Sequence, residues 1–243
     1  MSNKHQFAVF TPDLNKLSTP ELYHRIIRVL RLNTGDQVII FDRKQHVLAE
    51  LSTITKNNLA LKFIGSLVAN QDLKPEITVC LPLLKREALE AALYSCVELG
   101  ANTIQLLVTA KSEPAGQKYS AGNFERLEKI MIAAAEQSKN FKIPELLAPV
   151  KLDSFLKSES FFSAKIKTGK IFFDISGVPA LALIPEAKSA NQIFCLWGPE
   201  ADLTSIEKEL VLAAGFKFSK LTPTVLRASQ AVALGLGLIR SLI

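Results

Sequence analysis

Two short segments near the C-terminus hold residue types suited to ligand chemistry. The first is Trp197-Gly198-Pro199-Glu200, directly after an apolar run, Gln192-Ile-Phe-Cys-Leu-Trp197. The second is Leu221-Thr-Pro-Thr-Val-Leu-Arg227, directly before an almost uncharged stretch from Ala228 to Ile243. Glycine lets a backbone approach a bound molecule, and proline fixes the loop around it. A ligand could then bond to free main-chain groups at the strand end. The same residues would equally serve as an ordinary strand-to-helix turn, with Asp202 or Thr204 capping the next helix. Arg227 is costly beside so apolar a helix unless it is paired or stands in a cleft. Its charge is permanent, so in a cleft it would act as a fixed electrostatic stabiliser. The alternative is a surface arginine at a helix start, which the helix dipole mildly opposes.

These segments need a scaffold that presents strand ends. From residue 77 onward, apolar strand-like runs (77–83, 103–108, 171–175, 193–197, 216–221) alternate with helical ones (86–99, 123–139, 205–214, 228–242). Gly100 and Gly215 stand where two of these helices should end. Alternation of this kind predicts an α/β domain with a mostly parallel sheet covered on both faces. Such sheets bind ligands beyond the C-terminal ends of their strands. Pro223, Gly235 and Gly237 suggest close packing near the chain end, although mid-helix glycines are also simply weakening, by about 1 kcal/mol each.

Residues 1–70 differ. Short strand-like runs at 6–10, 37–41, 47–54 and 59–64 are separated by turn signals, Gly35-Asp36 and Lys56-Asn57-Asn58. Close spacing of this kind predicts a small β-barrel. A helix over 19–30 interrupts it, with Ser18 or Thr19 as cap and Pro20 in the first turn. Residues 71–76 are polar and contain a proline, and read as a linker to a second domain over 77–243.

Composition narrows the function. The 243 residues carry a formal charge of +6, of which residues 1–70 supply +4, from nine Lys/Arg against five Asp/Glu. His24, Arg25, Arg28 and Arg31, with Arg43 and Lys44, form a basic group suited to phosphate contacts, or else a solvated helix face. Arg25 and Arg28, three residues apart, are expected to share a helix face. Cys80, Cys96 and Cys195 lie in apolar runs and read as reduced core residues of a cytoplasmic protein. There is no Cys/His cluster for a metal, no signal-peptide core and no run of eighteen apolar residues to span a membrane. All three histidines (5, 24 and 46) precede residue 47, so the second domain cannot build a Ser-His-Asp or Cys-His site from its own residues. GxGxxG after an early strand and GxxxxGK[ST] are both absent, which argues against dinucleotide and P-loop enzymes.

Several blocks in order resemble the RsmE-type family of SPOUT methyltransferases. They are His24-Arg-Ile-Ile-Arg-Val-Leu-Arg-Leu-Asn-Thr-Gly-Asp36, Val97-Glu-Leu-Gly100, Ala134-Ala-Glu-Gln-Ser138 with Pro144-Glu145, Gly198-Pro199-Glu200 and Leu226-Arg227. The resemblance implies an N-terminal PUA-like RNA-binding β-barrel and a C-terminal SPOUT α/β domain with a trefoil knot, assembled as a homodimer. It implies S-adenosylmethionine held by Leu196, Trp197, Gly198, Pro199, Leu221, Thr222, Leu226 and Ala228, and no metal. It further implies methyl transfer to N3 of a uridine in 16S ribosomal RNA, free or in the assembled small subunit. Arg227 would stabilise the uridine or orient the cofactor, and Glu200 would orient a loop or take part in proton movement. RNA would be held by His24, Arg25, Arg28 and Arg31. The chain departs from the family's pattern at Ala201-Asp202-Leu203, where Gly-Gly-Phe is usual, and at Ala228-Ser229-Gln230-Ala231, where Thr-Glu-Thr-Ala is usual. Ser95 replaces a lysine, and Lys139-Asn140 replaces Gly-Arg. Two further readings therefore stay open: a catalytically silent RNA-binding relative, and a knotted methyltransferase for another RNA site.

Overall fold

The computed structural model describes residues 6–56, 58–112, 121–158, 162 and 166–242. His5, Asn57 and Ile243, which the sequence reading invokes, lie outside them. The chain divides into two compact units, Met1–Gln71 with Ile132–Ile143, and Asp72–Met131 with Pro144–Ile243. Residues 132–143 thus group with the first unit, whereas the sequence reading runs the second domain unbroken from residue 77.

The first unit holds β1 (Phe7–Phe10), β2 (Gln37–Phe41), β3 (Gln45–Ile54), β4 (Leu59–Phe63) and β5 (Val68–Ala69). β1 pairs parallel with β2, while β2, β3 and β4 form an antiparallel meander and β5 adds to β3. In β3, Val47, Ala49 and Leu51 alternate inward and are buried with Val9, Leu22, Ile26, Val38 and Ile40. Each large apolar side chain so buried contributes about 1.5–3 kcal/mol.

The helix expected over 19–30 is two kinds of helix. Its first turn is α1 (Pro20–Tyr23), capped by the Thr19 side chain, which accepts the Leu22 N–H. The next six residues, His24–Val29, are π-helical. There the Leu30 N–H reaches back five residues to the Arg25 carbonyl at 3.0 Å. The wider turn means that residues three apart no longer overlie one another. Arg25 and Arg28 accordingly do not share the face expected of them. Apolar spacing alone does not distinguish an α-helical from a π-helical turn over so few residues.

The second unit is built on a six-stranded parallel sheet. Its strands are β6 (Glu76–Pro82), β7 (Thr103–Val108), β8 (Glu145–Lys151), β9 (Thr168–Pro179), β10 (Gln192–Trp197) and β11 (Lys217–Lys220), in the order β11-β9-β10-β6-β7-β8. The helices are α2 (Arg86–Glu98), α3 (Ala121–Ser138), of which only the residues up to Met131 belong to this unit, α4 (Leu152–Leu156), α5 (Ile184–Ser189), α6 (Ser205–Ala213) and α7 (Ala228–Leu242). β6 and β10 are central and nearly continuous in apolar residues, as strands covered on both faces must be. Phe155, Phe172, Phe194 and Phe216 form the aromatic part of one core cluster.

Four elements of this unit differ from the sequence reading. β8 was not expected, because it is an edge strand with no fully buried position and contains Pro149, which only an edge tolerates readily. β9 runs on to Pro179 rather than stopping near residue 175. Gly177 permits this: a side chain there would begin 2.2 Å from the Ser219 backbone nitrogen on the adjoining strand. The short α4 and α5 also escaped notice, being too brief to show a period. Gly100 ends α2 with φ +73°, as expected.

Candidate functional site

A cavity of about 330 Å³ lies against the middle of β9 and the loops that follow β10 and β11. β9 contributes Phe173, Asp174 and Ile175; the loop after β10 contributes Gly198, Pro199, Glu200 and Asp202 behind Trp197. The segment after β11 contributes Leu221, Thr222, Thr224, Val225 and Leu226, and α7 adds Ala228 and Ala231. The segments around Gly198-Pro199 and Leu221–Leu226 therefore meet in one hollow.

The floor is aromatic. Phe173 and Trp197 stand on neighbouring parallel strands in direct register. Their rings stack at 4.9 Å between centroids with an interplanar angle of 26°. α7 crosses this pair at Gly235, where a Cβ would lie 3.0 Å from Trp197 Cζ2 and 3.1 Å from Phe173 Cε2. Ordinary carbon contacts lie near 3.5–4.0 Å, so only glycine lets the helix sit this close. Gly237, by contrast, would meet nothing nearer than 3.8 Å.

The loop after β10 is tied on three sides. Glu200 Oε1 accepts the Lys85 N–H at 3.0 Å, linking it to the start of α2. The Ala201 carbonyl accepts a hydrogen bond from Lys111 Nζ at 3.1 Å. Asp202 adopts a left-handed backbone, φ +61°. Its carboxylate accepts the Leu203 N–H at 2.7 Å and a hydrogen bond from Lys208 Nζ at 2.7 Å. Gly198 is tight against this turn, since a Cβ would come within 3.1 Å of Asp202 Oδ1. Of the two caps proposed for α6, Thr204 is the one used: it forms a capping box with Glu207, which also accepts the Ala110 N–H at 2.7 Å.

Lys208 Nζ also donates to Asp174 Oδ2 at 2.6 Å, and Ser176 N–H donates to Asp174 Oδ1 at 2.8 Å. Burial pushes the Asp174 carboxyl up, but bonds from Lys208 and Ser176 outweigh it and hold the group below the ordinary carboxylate value. Burial opposes the Lys208 charge, yet its two carboxylate partners raise it above the ordinary lysine value. The charged side chains lining the cavity are all carboxylates: Asp174, Glu200 and Asp202. A hollow with an aromatic floor, threonine hydroxyls and carboxylates suits a ligand with a flat ring system and hydrogen-bond donors or positive charge.

The expected cofactor residues Trp197, Gly198, Pro199, Leu221, Thr222, Leu226 and Ala228 all line this cavity. Leu196 does not. It is fully buried in the core with Phe172 and Phe194, because strand alternation sends its side chain to the face opposite Trp197. Glu200 lines the cavity, but Arg227 does not. The Arg227 side chain is exposed and makes no hydrogen bond or ion pair among the described residues, while its carbonyl accepts the Ala231 N–H in the first turn of α7. In the first unit, His24, Arg28 and Arg31 are exposed. Arg25 instead pairs with Glu136, whose other oxygen accepts the Phe10 N–H at 3.1 Å. Phe173, Asp174, Ile175, Asp202, Thr224, Val225 and Ala231 are lining residues that the sequence reading did not assign. Asp174 carried a usable signal, as a lone charge at the end of Ile171-Phe-Phe. Among the described residues no group of three or more His, Cys, Asp or Glu is placed to hold a metal ion, and no helix is long and apolar enough to cross a membrane.

Comparison with known proteins places this geometry. The chain is 28% identical over 229 residues to ribosomal RNA small subunit methyltransferase E of Synechocystis, covering 93% of this chain and 73% of the relative. The Bacillus subtilis protein of the same name is 25% identical, covering 88% and 84%. Among solved structures, the Neisseria gonorrhoeae enzyme of that name, bound to S-adenosyl methionine, superposes with a TM-score of 0.81 at 22% identity, covering 98% of both chains. At that identity the likeness is one of fold. The model of an RNA methyltransferase PUA domain matches residues 19–64. The model of the RNA methyltransferase domain matches residues 71–240, a span that takes in every residue lining the cavity, and this chain belongs to the RNA methyltransferase family.

Proposed function

We propose that the cavity binds S-adenosylmethionine and that the enzyme methylates N3 of a uridine in 16S ribosomal RNA, in the cytoplasm. The cavity carries this reading: its charged lining side chains are all carboxylates, and it sits where the parallel strands β10 and β11 end beside β9, in a chain of the RNA methyltransferase family. The cofactor is cationic at its sulfonium and amino groups, and it supplies an electrophilic methyl group. Phe173 and Trp197 offer an apolar floor for an adenine, and the backbone of the lining segments Gly198-Pro199 and Leu221-Thr222 would bond its edge.

Uracil N3 holds a proton near neutral pH, so transfer requires its removal and stabilisation of the anion left behind. Arg227, flanked by two lining residues and with an exposed, unpaired side chain, is the group for the second task. Its charge is permanent and its fork-shaped guanidinium matches a planar oxygen and nitrogen edge. Glu200 fixes the loop after β10 through Lys85, and its carboxylate is the lining group placed to receive a proton. Positioning supplies much of the remaining acceleration.

In the first unit the exposed His24, Arg28 and Arg31 engage RNA phosphates, while Arg25 serves the fold. The exposed apolar residues Val225 and Leu234, on and beside α7, support a homodimer. The strand order, in which β10 enters between β9 and β6, supports a trefoil knot.

Calorimetric titration of the purified chain with S-adenosylmethionine tests the cofactor assignment. Saturable binding of one molecule per chain is expected. Absence of binding with RNA present as well as without it would overturn the assignment.

A further inference from the structure

We infer that Lys208 is a positioning residue for the cavity: its ammonium bridges Asp174 and Asp202 and so locks together a strand and a loop that wall it. This role rests on the cofactor reading above. Asp174 belongs to β9 and Asp202 to the loop after β10, and both line the cavity. Lys208 does not line it. It stands behind, on α6, at 2.6 Å from one carboxylate and 2.7 Å from the other. The Asp174 side chain is 4% exposed and that of Lys208 is 25% exposed, so the first pair is shielded from water, whereas Asp202 at 55% is not.

The helix that carries Lys208 is itself fixed. Its start is held by the Thr204–Glu207 capping box and by the Ala110 N–H on Glu207. The bridge therefore joins β9 and the loop after β10 through a rigid third element. Asp202 also needs anchoring for its own sake. A left-handed φ of +61° is unfavourable for a residue with a side chain, and the bonds to Leu203 and Lys208 compensate for it. Removing the ammonium would leave two carboxylates facing each other, one of them buried, with no cation between them. Mutual repulsion would then separate the two walls that must close on the ligand.

The test is calorimetric titration of the full chain with S-adenosylmethionine, in its unaltered form and as Lys208→Met and Lys208→Arg. Thermal melts of each variant confirm that a folded chain is titrated. Lys208→Met should weaken binding by about tenfold, within the range that coupled neighbouring charges show. Lys208→Arg, which can still span two carboxylates, should bind within about threefold of the unaltered chain. A role confined to stability would lower the melting temperature but leave these affinity differences absent. Binding by folded Lys208→Met within about twofold of the unaltered chain would overturn the inference. A loss that Lys208→Arg does not repair would also overturn it. Failure of the unaltered chain to bind would overturn the cofactor reading and this role with it.

Discussion

Replacing Gly235 by alanine sets two effects of opposite sign against each other. Alanine is a better helix former than glycine by about 1 kcal/mol, so on propensity alone the variant should gain stability. The structure argues otherwise. The new Cβ would lie 3.0 Å from Trp197 Cζ2 and 3.1 and 3.2 Å from two Phe173 ring atoms. Relief requires shifts of roughly half an ångström by two stacked rings or by α7. Overpacking of this kind costs about 1–3 kcal/mol, which exceeds or cancels the propensity gain. The expected net loss is about 0–2 kcal/mol, or up to roughly 8 °C in melting temperature for a chain of this size. Because both rings line the cavity, cofactor affinity should fall as well. Gly237→Ala is the internal control. Its Cβ would rest 3.8 Å from the Leu99 methyl groups, an ordinary contact, so that variant should gain about 1 kcal/mol. Denaturant unfolding of the two variants, followed by cofactor titration, reads both effects. If Gly235→Ala is as stable as Gly237→Ala and binds cofactor normally, the close approach of α7 to the Phe173–Trp197 pair is not a constraint.

Other predictions concern different parts of the chain. Arg227→Ala should abolish methyl transfer while leaving the melting temperature unchanged, because the side chain is exposed and unpaired; unimpaired turnover would remove it from the mechanism. Glu136→Ala should destabilise the first unit by about 1–3 kcal/mol in denaturant unfolding, since the Phe10 N–H and Arg25 both lose their acceptor; an unchanged midpoint would contradict this. Neutralising Arg28 and Arg31 together should flatten the salt dependence of RNA binding by about 1.5 in log–log slope, and an unaltered slope would exclude them from the RNA interface. Burial raises the thiols of Cys80, Cys96 and Cys195, the last to about 12. The stability they contribute is therefore complete below about pH 8.5, where the unfolded thiols titrate, and is lost as pH rises toward their folded values, by about 1.4 kcal/mol per pH unit for each thiol. Stability that stays level between pH 8.5 and 11 would contradict this sign.

Much of the second unit was legible because its central strands are apolar throughout and its helices are long enough to show a period. The ends of β10 and α7 could be placed from Trp197-Gly198-Pro199 and from Leu226-Arg227-Ala228 alone, and these segments do line one cavity. β8 was not legible, since an edge strand alternates weakly and tolerates Pro149. Phe173, Asp174 and Ile175 were read only as strand, because nothing local reveals that β9 lies beside β10 rather than at a sheet edge. Arg25 looked like a phosphate ligand until its partner appeared, and Glu136 lies 111 residues away in sequence. Leu196 adjoins Trp197, but successive strand residues face opposite sides, so its side chain points away from the cavity. Ala201-Asp202-Leu203 read as a loss of loop glycines. The structure shows Asp202 in a glycine-like conformation, held by Lys208.

The most direct test of the account is methyl transfer itself. The purified chain should be incubated with S-adenosylmethionine carrying a labelled methyl group and with small ribosomal subunits that lack the modification, and the digested RNA resolved by mass spectrometry. The account predicts a single labelled nucleoside, 3-methyluridine, approaching one per 16S RNA. Label on another base or another RNA would contradict the assigned reaction, and no label in a chain that binds the cofactor would contradict the assignment of Arg227 and Glu200 as a working site.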